Sequence, residues 1–155
     1  MIENHYRGYA AIGLNRPKTP HNIGSVMRAA GCYGASVVCI AGQRFARSST
    51  DTRQQHRHTP VITCDDLHDV IPYGAVPVAV DLISDAIPLP EYVHPERAFY
   101  IFGPEDGTLG RQTIEWCRDV IYIPTRYCMN LAATVNVVLY DRMAKRGEQS
   151  QQFAA

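Results

Sequence analysis

Residues 119–141, DVIYIPTRYCMNLAATVNVVLYD, hold the chain to a narrow set of folds. They open on a β-branched and aromatic run, Val120 to Ile123, of the kind that lies buried in a sheet. Pro124 stops the run, because proline has no N–H to give to a strand ladder. A polar loop, Thr125 to Cys128, leads to Asn130, whose side chain suits a helix N-cap. From Leu131 to Met143 neither glycine nor proline interrupts a largely apolar segment, which predicts a buried helix. Asn130, Thr134, Asp141 and Lys145 mark one stripe of that helix, while Leu131, Val135, Val138 and Leu139 cover another.

The same rhythm of short apolar runs and helical segments recurs upstream. Tyr9 to Leu14, Ala35 to Ala41, Val61 to Thr63, Val76 to Ile83 and Ala98 to Phe102 read as strands. Asn22 is expected to cap a helix that ends at Gly31, with Arg28 inside it and Gly24 placed for a close backbone approach. Asp65 or Asp66 is expected to cap a helical turn, and Thr108 a helix over Leu109 to Cys117. Strands alternating with helices in this way predict an α/β fold, a mostly parallel sheet flanked by helices. At 155 residues the chain suits one domain, read as residues 1–146, with GEQSQQFAA at 147–155 as a disordered tail.

Composition narrows the partners. The net charge is zero, yet up to Cys64 there are eight Lys or Arg against two acids, and from Asp65 to Glu96 seven acids and no Lys or Arg. Thirteen of the fifteen basic residues are arginine, whose planar guanidinium suits phosphate contacts and base stacking. The long polar segment from Gly42 to Pro60 carries Arg44, Arg47, Arg53 and Arg57, which makes it a candidate RNA-contacting loop. Arg126 is a further candidate for a phosphate contact. Five cysteines, none in a CxxC pair, point to a reducing cytoplasm with buried thiols and to neither a disulfide framework nor a zinc site. No metal is expected, and no run is long and apolar enough to span a membrane.

In open α/β sheets ligands gather beyond the carboxyl ends of the strands. Three loops leave strand ends with suitable residues: Gly103 to Gly110, Thr125 to Asn130, and the exit of the strand that begins at Val76. None matches GxGxxG or a Walker loop. A nucleoside-type cofactor held by backbone groups fits the glycines, and an unrelated nucleotide-dependent enzyme is the alternative at this point.

Three blocks, NIGSVMRAAGCYGA (residues 22–35), FGPEDGTLG (102–110) and IPTRYCMNLAATVNVVLYD (123–141), resemble in order and spacing the three signature motifs of the SpoU-type, or TrmH-like, RNA 2′-O-methyltransferases of the SPOUT superfamily. The resemblance runs from Ala10 to Arg146. It implies a C-terminal deep trefoil knot, a homodimer, S-adenosylmethionine as co-substrate, and RNA as substrate, with tRNA favoured over rRNA. Carried over by position, Val80, Gly103, Ile123, Cys128 and Leu131 border the cofactor, and Asn22, Glu105 and Asn130 support the motif loops. Arg28 matches the arginine assigned to catalysis.

A free guanidinium has a pKa above roughly 12, so a phosphate clamp that also stabilises a developing alkoxide suits Arg28 better than a base does. Two positions depart from the family. Cys128 stands where many relatives have serine and is read as a packing cysteine, and Ala133 replaces a polar residue. Tyr127, Thr134 or Asn136 would then supply any lost polar help. These departures are also what supports the alternative of an inactive RNA-binding or S-adenosylmethionine-sensing module. Trp116 and Tyr140 are expected in the core or at a dimer contact.

Overall fold

The computed structural model describes residues 7–42 and 54–147. The elements run β1 (Tyr9–Asn15), α1 (Pro20–Tyr33), β2 (Val38–Ala41), β3 (Val61–Cys64), β4 (Val76–Val80), β5 (Ile87–Pro88), β6 (Arg97–Phe102), α2 (Arg111–Ile114), β7 (Asp119–Tyr122) and α3 (Leu131–Arg146). Short 3-10 turns at Gln55–Arg57, Leu67–Val70 and Leu89–Glu91 connect them. All strands pair in parallel within one seven-stranded sheet of order β3-β2-β1-β6-β4-β7-β5.

Central strands of such a sheet are covered on both faces and therefore carry continuous apolar sequence. In β6, Ala98 to Phe102 are all buried. One face packs on α1 and α3, whose Ile23, Val26, Met27, Ala30, Leu131, Val135, Val138 and Leu139 join Ile12, Leu14, Tyr100 and Phe102 in the larger core. The opposite face is thinner. Leu67 of a 3-10 turn, Leu109 and the half-buried Trp116 cover Ala11, Phe99 and Ile101 there.

Several local boundaries differ from expectation for identifiable reasons. The cap of α1 is Thr19, not Asn22: Pro20 follows at the first helical position, where its missing N–H costs nothing, and the Thr19 hydroxyl accepts from the Asn22 N–H at 3.4 Å. The helix also passes Gly31 and ends at Tyr33, with Gly34 at φ 68° as its left-handed cap. A Cβ on Gly31 would meet the Gln55 side chain at 2.4 Å, so a close approach falls there, and Gly24 is buried in the same helix. The helix expected over Leu109 to Cys117 shrinks to Arg111–Ile114, with Gly110 rather than Thr108 at its cap position. Leu109 instead turns into the core, and its N–H is taken by the Asp81 carboxylate at 3.0 Å. The two-residue β5 went unforeseen; its proline is tolerated because it lies at the sheet edge. The tail from residue 148 onward lies outside the described residues.

A buried polar cluster fastens α3 to the rest. The Arg142 guanidinium, 4 % exposed, donates to the carbonyls of Pro95 (2.7 Å), Glu96 (2.8 Å) and Tyr9 (3.2 Å) and to the Tyr100 hydroxyl (3.3 Å). His94 lies between Tyr100 (Nδ1, 2.6 Å) and Asp141 (Nε2, 2.8 Å). Lys145 holds Asp141 at 2.8 Å and donates to the carbonyls of Leu89 and Tyr92. A neutral imidazole satisfies every member in one direction: Arg142 donates to Tyr100, Tyr100 to Nδ1, and Nε2–H to Asp141. Burial pushes the His94 pKa down, against the opposing pull of the Asp141 carboxylate, which favours that neutral form.

Candidate active site

Because every strand runs the same way, the exits of β6, β4 and β7, neighbours in the sheet, open at one end. Their loops and the first turn of α3 enclose a cavity of about 500 Å³. The wall combines strand-end residues Val80, Phe102, Gly103, Tyr122 and Ile123 with loop residues of 104–109 and 124–129, and with Leu131 and Thr134 of α3.

Close approach of backbone shapes this wall. A Cβ on Gly103 would sit 3.2 Å from the Leu109 nitrogen and 3.3 Å from the Thr108 carbonyl carbon, a tight fit against backbone that favours glycine at the root of the folded-back 103–110 loop. Asp81, which interrupts an apolar run, acts as a staple. Its carboxylate accepts the N–H of Leu82 at 2.8 Å and that of Leu109 at 3.0 Å, tying the exit of β4 to the loop after β6.

Beside the cavity three distant segments meet through side-chain amides. Asn22 Nδ2 donates to Glu105 Oε1 at 2.7 Å, and Asn130 Nδ2 donates to Asn22 Oδ1 at 3.0 Å. Asn130 Oδ1 meanwhile accepts from the N–H groups of Ala132 (2.9 Å) and Ala133 (3.3 Å), capping α3 as its sequence predicts. Glu105 Oε2 takes the Lys18 N–H at 2.9 Å, and Asp106 pairs with the Lys18 ammonium. Burial alone would raise the Glu105 pKa. The amide of Asn22 and the backbone N–H groups of Glu105, Lys18 and Thr19 outweigh it and hold the carboxyl below its usual range, so it is ionised at neutral pH.

The structure brings all five residues expected at a cofactor, Val80, Gly103, Ile123, Cys128 and Leu131, into this one wall. Cys128 is exposed there, and Cys32 is exposed as well, which corrects the expectation of buried packing thiols; a loop lining an open cavity has no core to bury a side chain in. Arg126 also lines the cavity and is exposed. Arg28 does not: it occupies the exposed side of α1, outside the wall. Arg57 is exposed on a 3-10 turn that packs against α1, whereas Arg44, Arg47 and Arg53 lie outside the described residues. Tyr140 is 54 % exposed on α3, not a core residue. Asp81 and Leu82 line the wall at the exit of β4, the third of the expected ligand-gathering places, although the sequence reading singled out neither residue; an acid inside an apolar strand run was the visible signal. Among the described residues no group of three or more His, Cys, Asp or Glu is placed to hold a metal ion.

The model of the SpoU rRNA Methylase family matches residues 9–140. Among solved structures, the SpoU methyltransferase AviRb from Streptomyces viridochromogenes, in complex with the cofactor AdoMet, superposes with a TM-score of 0.81 at 20% identity. That match covers 92% of this chain but 62% of AviRb, so the chain spans about three fifths of that protein's length. The A. aeolicus TrmH/SpoU tRNA modifying enzyme gives a TM-score of 0.81 at 17% identity, covering 92% of this chain and 78% of the other. A protein whose structure concerns 2-OH methylation of C/U34 on tRNA gives 0.73 at 22% identity, covering 88% and 89%. At these identities the likeness speaks for the fold. No curated protein sequence matches the chain at a significant level.

Proposed function

Because the chain belongs to the SpoU rRNA Methylase family, we propose that it transfers a methyl group from S-adenosylmethionine to a ribose 2′-hydroxyl of RNA, with tRNA the favoured substrate and rRNA second. The observation that carries this reading is the meeting of Asn22, Glu105 and Asn130, one from each motif-like block, beside a single cavity. The structural neighbours that hold AdoMet or concern 2-OH methylation of tRNA support the cofactor and the position of transfer.

The cavity suits such a cofactor. Its volume of about 500 Å³ falls in the range of small-molecule sites. Apolar side chains such as Val80, Ile123 and Leu131 offer surface to a flat ring, and loop backbone offers polar groups to its edges. The carboxylates of Asp81 and Glu105 on the wall favour a cationic ligand. Bound there, S-adenosylmethionine supplies an electrophilic methyl group on a sulfonium centre. The chain itself contributes orientation: loops 103–110 and 123–130, pinned by Asp81 and the Asn–Glu–Asn cluster, hold their shape before any ligand arrives.

Arg28 is assigned to the RNA. Its guanidinium clamps a phosphate and stabilises the alkoxide that develops as the hydroxyl attacks. Since it lies outside the cavity wall of its own chain, the active form is a homodimer in which α1 of a second copy faces the cavity, with exposed Tyr140 at the contact. The single domain, residues 1–146, closes as a deep trefoil knot. In support, the connection 81–96 runs out to the edge strand β5 and back to β6, while β7 inserts between β4 and β5 and α3 fastens to residues 89–96. Among the described residues no helix is long and apolar enough to cross a membrane. On this reading the enzyme acts where its RNA substrate is, in the cytoplasm.

The test is transfer of labelled methyl from S-adenosylmethionine to total small RNA, read as nuclease-resistant 2′-O-methylated dinucleotides. Binding without transfer would overturn the enzymatic reading in favour of a sensing module. Arg28→Lys is expected to abolish most turnover while leaving S-adenosylmethionine binding unchanged, and near-normal turnover would dismiss a specific guanidinium role.

A further inference from the structure

We propose that Tyr127 is the platform on which the base of the methylated nucleotide stacks, an assignment that rests on the RNA methyltransferase reading above. Large apolar side chains left in water invite an explanation, and the described residues include Tyr73, Leu82, Val93, Tyr127 and Tyr140 among them. Of these five, Leu82 (73 % exposed) and Tyr127 (85 % exposed) line the cavity. They stand on neighbouring rims. Leu82 follows β4 and Tyr127 follows β7, strands paired at Val80 and Ile121, and the Asp81 N–H continues that ladder to the Ile121 carbonyl at 2.9 Å.

The tyrosine is offered on a held loop. Thr125 Oγ1 donates to the Tyr127 carbonyl at 2.7 Å, and Asn130, three residues on, is fixed by the cap of α3 and by Asn22. Arg126, the preceding residue, is exposed and also lines the wall, so the same loop carries a cation. An aromatic face beside a guanidinium matches what a single-stranded nucleotide presents, a flat base joined to a phosphate. Every base has a π-face, so a tyrosine here grips the target nucleotide without selecting its identity, and Leu82 supplies apolar surface on the neighbouring rim.

The experiment compares wild-type enzyme with Tyr127→Ala and Tyr127→Phe in three measurements: KM for small RNA, calorimetric affinity for S-adenosylmethionine, and sedimentation. A ring this exposed contributes little to the fold, so both variants fold. Loss of one stacked base is expected to raise the RNA KM of Tyr127→Ala about tenfold. Its S-adenosylmethionine affinity and sedimentation should match wild type. Tyr127→Phe, which keeps the ring, should stay within about twofold of wild type in RNA KM. An unchanged RNA KM in Tyr127→Ala overturns the assignment, as does an equal loss of S-adenosylmethionine affinity, which would make the ring part of the cofactor wall. A shift in sedimentation also overturns it, since the ring would then serve contact between copies. Wild-type protein that transfers no methyl group fails the parent reading, and this assignment falls with it.

Discussion

Asn130 performs two separable tasks, and substitution separates them. Its Oδ1 caps α3 through two N–H groups and its Nδ2 reaches Asn22 at 3.0 Å. Losing a helix cap costs about 1 kcal/mol, and a part-buried amide hydrogen bond contributes about 1 kcal/mol more. Asn130→Ala should therefore destabilise the protein by about 2 kcal/mol, which for a chain of this size lowers Tm by roughly 4–8 °C. Serine caps as well as asparagine but has no amide to donate and is too short to reach Asn22, so Asn130→Ser should lose about 1 kcal/mol. Urea unfolding at fixed protein concentration measures both. A cycle with Asn22→Ala should yield a coupling of about 1 kcal/mol, because the link is counted once. Equal destabilisation by alanine and serine, or additivity of Asn22→Ala with Asn130→Ala, would refute the division of labour.

The remaining expectations address other parts of the molecule. Gly103→Ala should weaken S-adenosylmethionine binding and cost about 1–3 kcal/mol of stability, since its methyl group would press on the Leu109 nitrogen; calorimetry and thermal unfolding read the two losses. His94 has a folded pKa below its ordinary 6.5, so the unfolded chain binds the extra proton first. Stability is full above pH 6.5 and declines as pH falls towards the folded value, by at most about 1.4 kcal/mol per pH unit. His94→Gln should remove that slope, and unfolding curves between pH 7.5 and 5 decide it. Arg142→Met removes the buried donor that serves the part-buried carbonyls of Tyr9, Pro95 and Glu96 and should cost about 3 kcal/mol; a fall in urea midpoint too small for that would mean water replaces the guanidinium.

What the sequence made legible followed from local signals with few competitors. The strand ending before Pro124, the Asn130 cap and the apolar stripe of α3 were readable because periodicity and capping chemistry act within a few residues. The cavity wall was legible through Gly103, Ile123 and Leu131, which sit at strand exits and at a helix start. Long-range demands were not. Thr108 looked like a cap, but the Asp81 carboxylate, 28 residues away from Leu109, claimed the N–H that would have begun the helix. Asn22 looked like a cap too, and its amide serves Glu105 and Asn130 instead, a use visible only once residues 83 and 108 positions apart are brought together. Nor does any short-range pattern announce that Arg142 is buried, because its partners are backbone carbonyls of remote segments.

That guanidinium has a consequence for how the chain is made. A ribosome delivers Tyr9 long before Arg142, yet the two are joined in the finished protein, and β1 also waits for β6 to fill its second edge. The nascent molecule cannot settle its core one layer at a time. β1 gains its second neighbour only after residue 97 has emerged, and its tie to α3 only after residue 142, so a chain broken off between the two would carry a paired β1 that lacks this clasp.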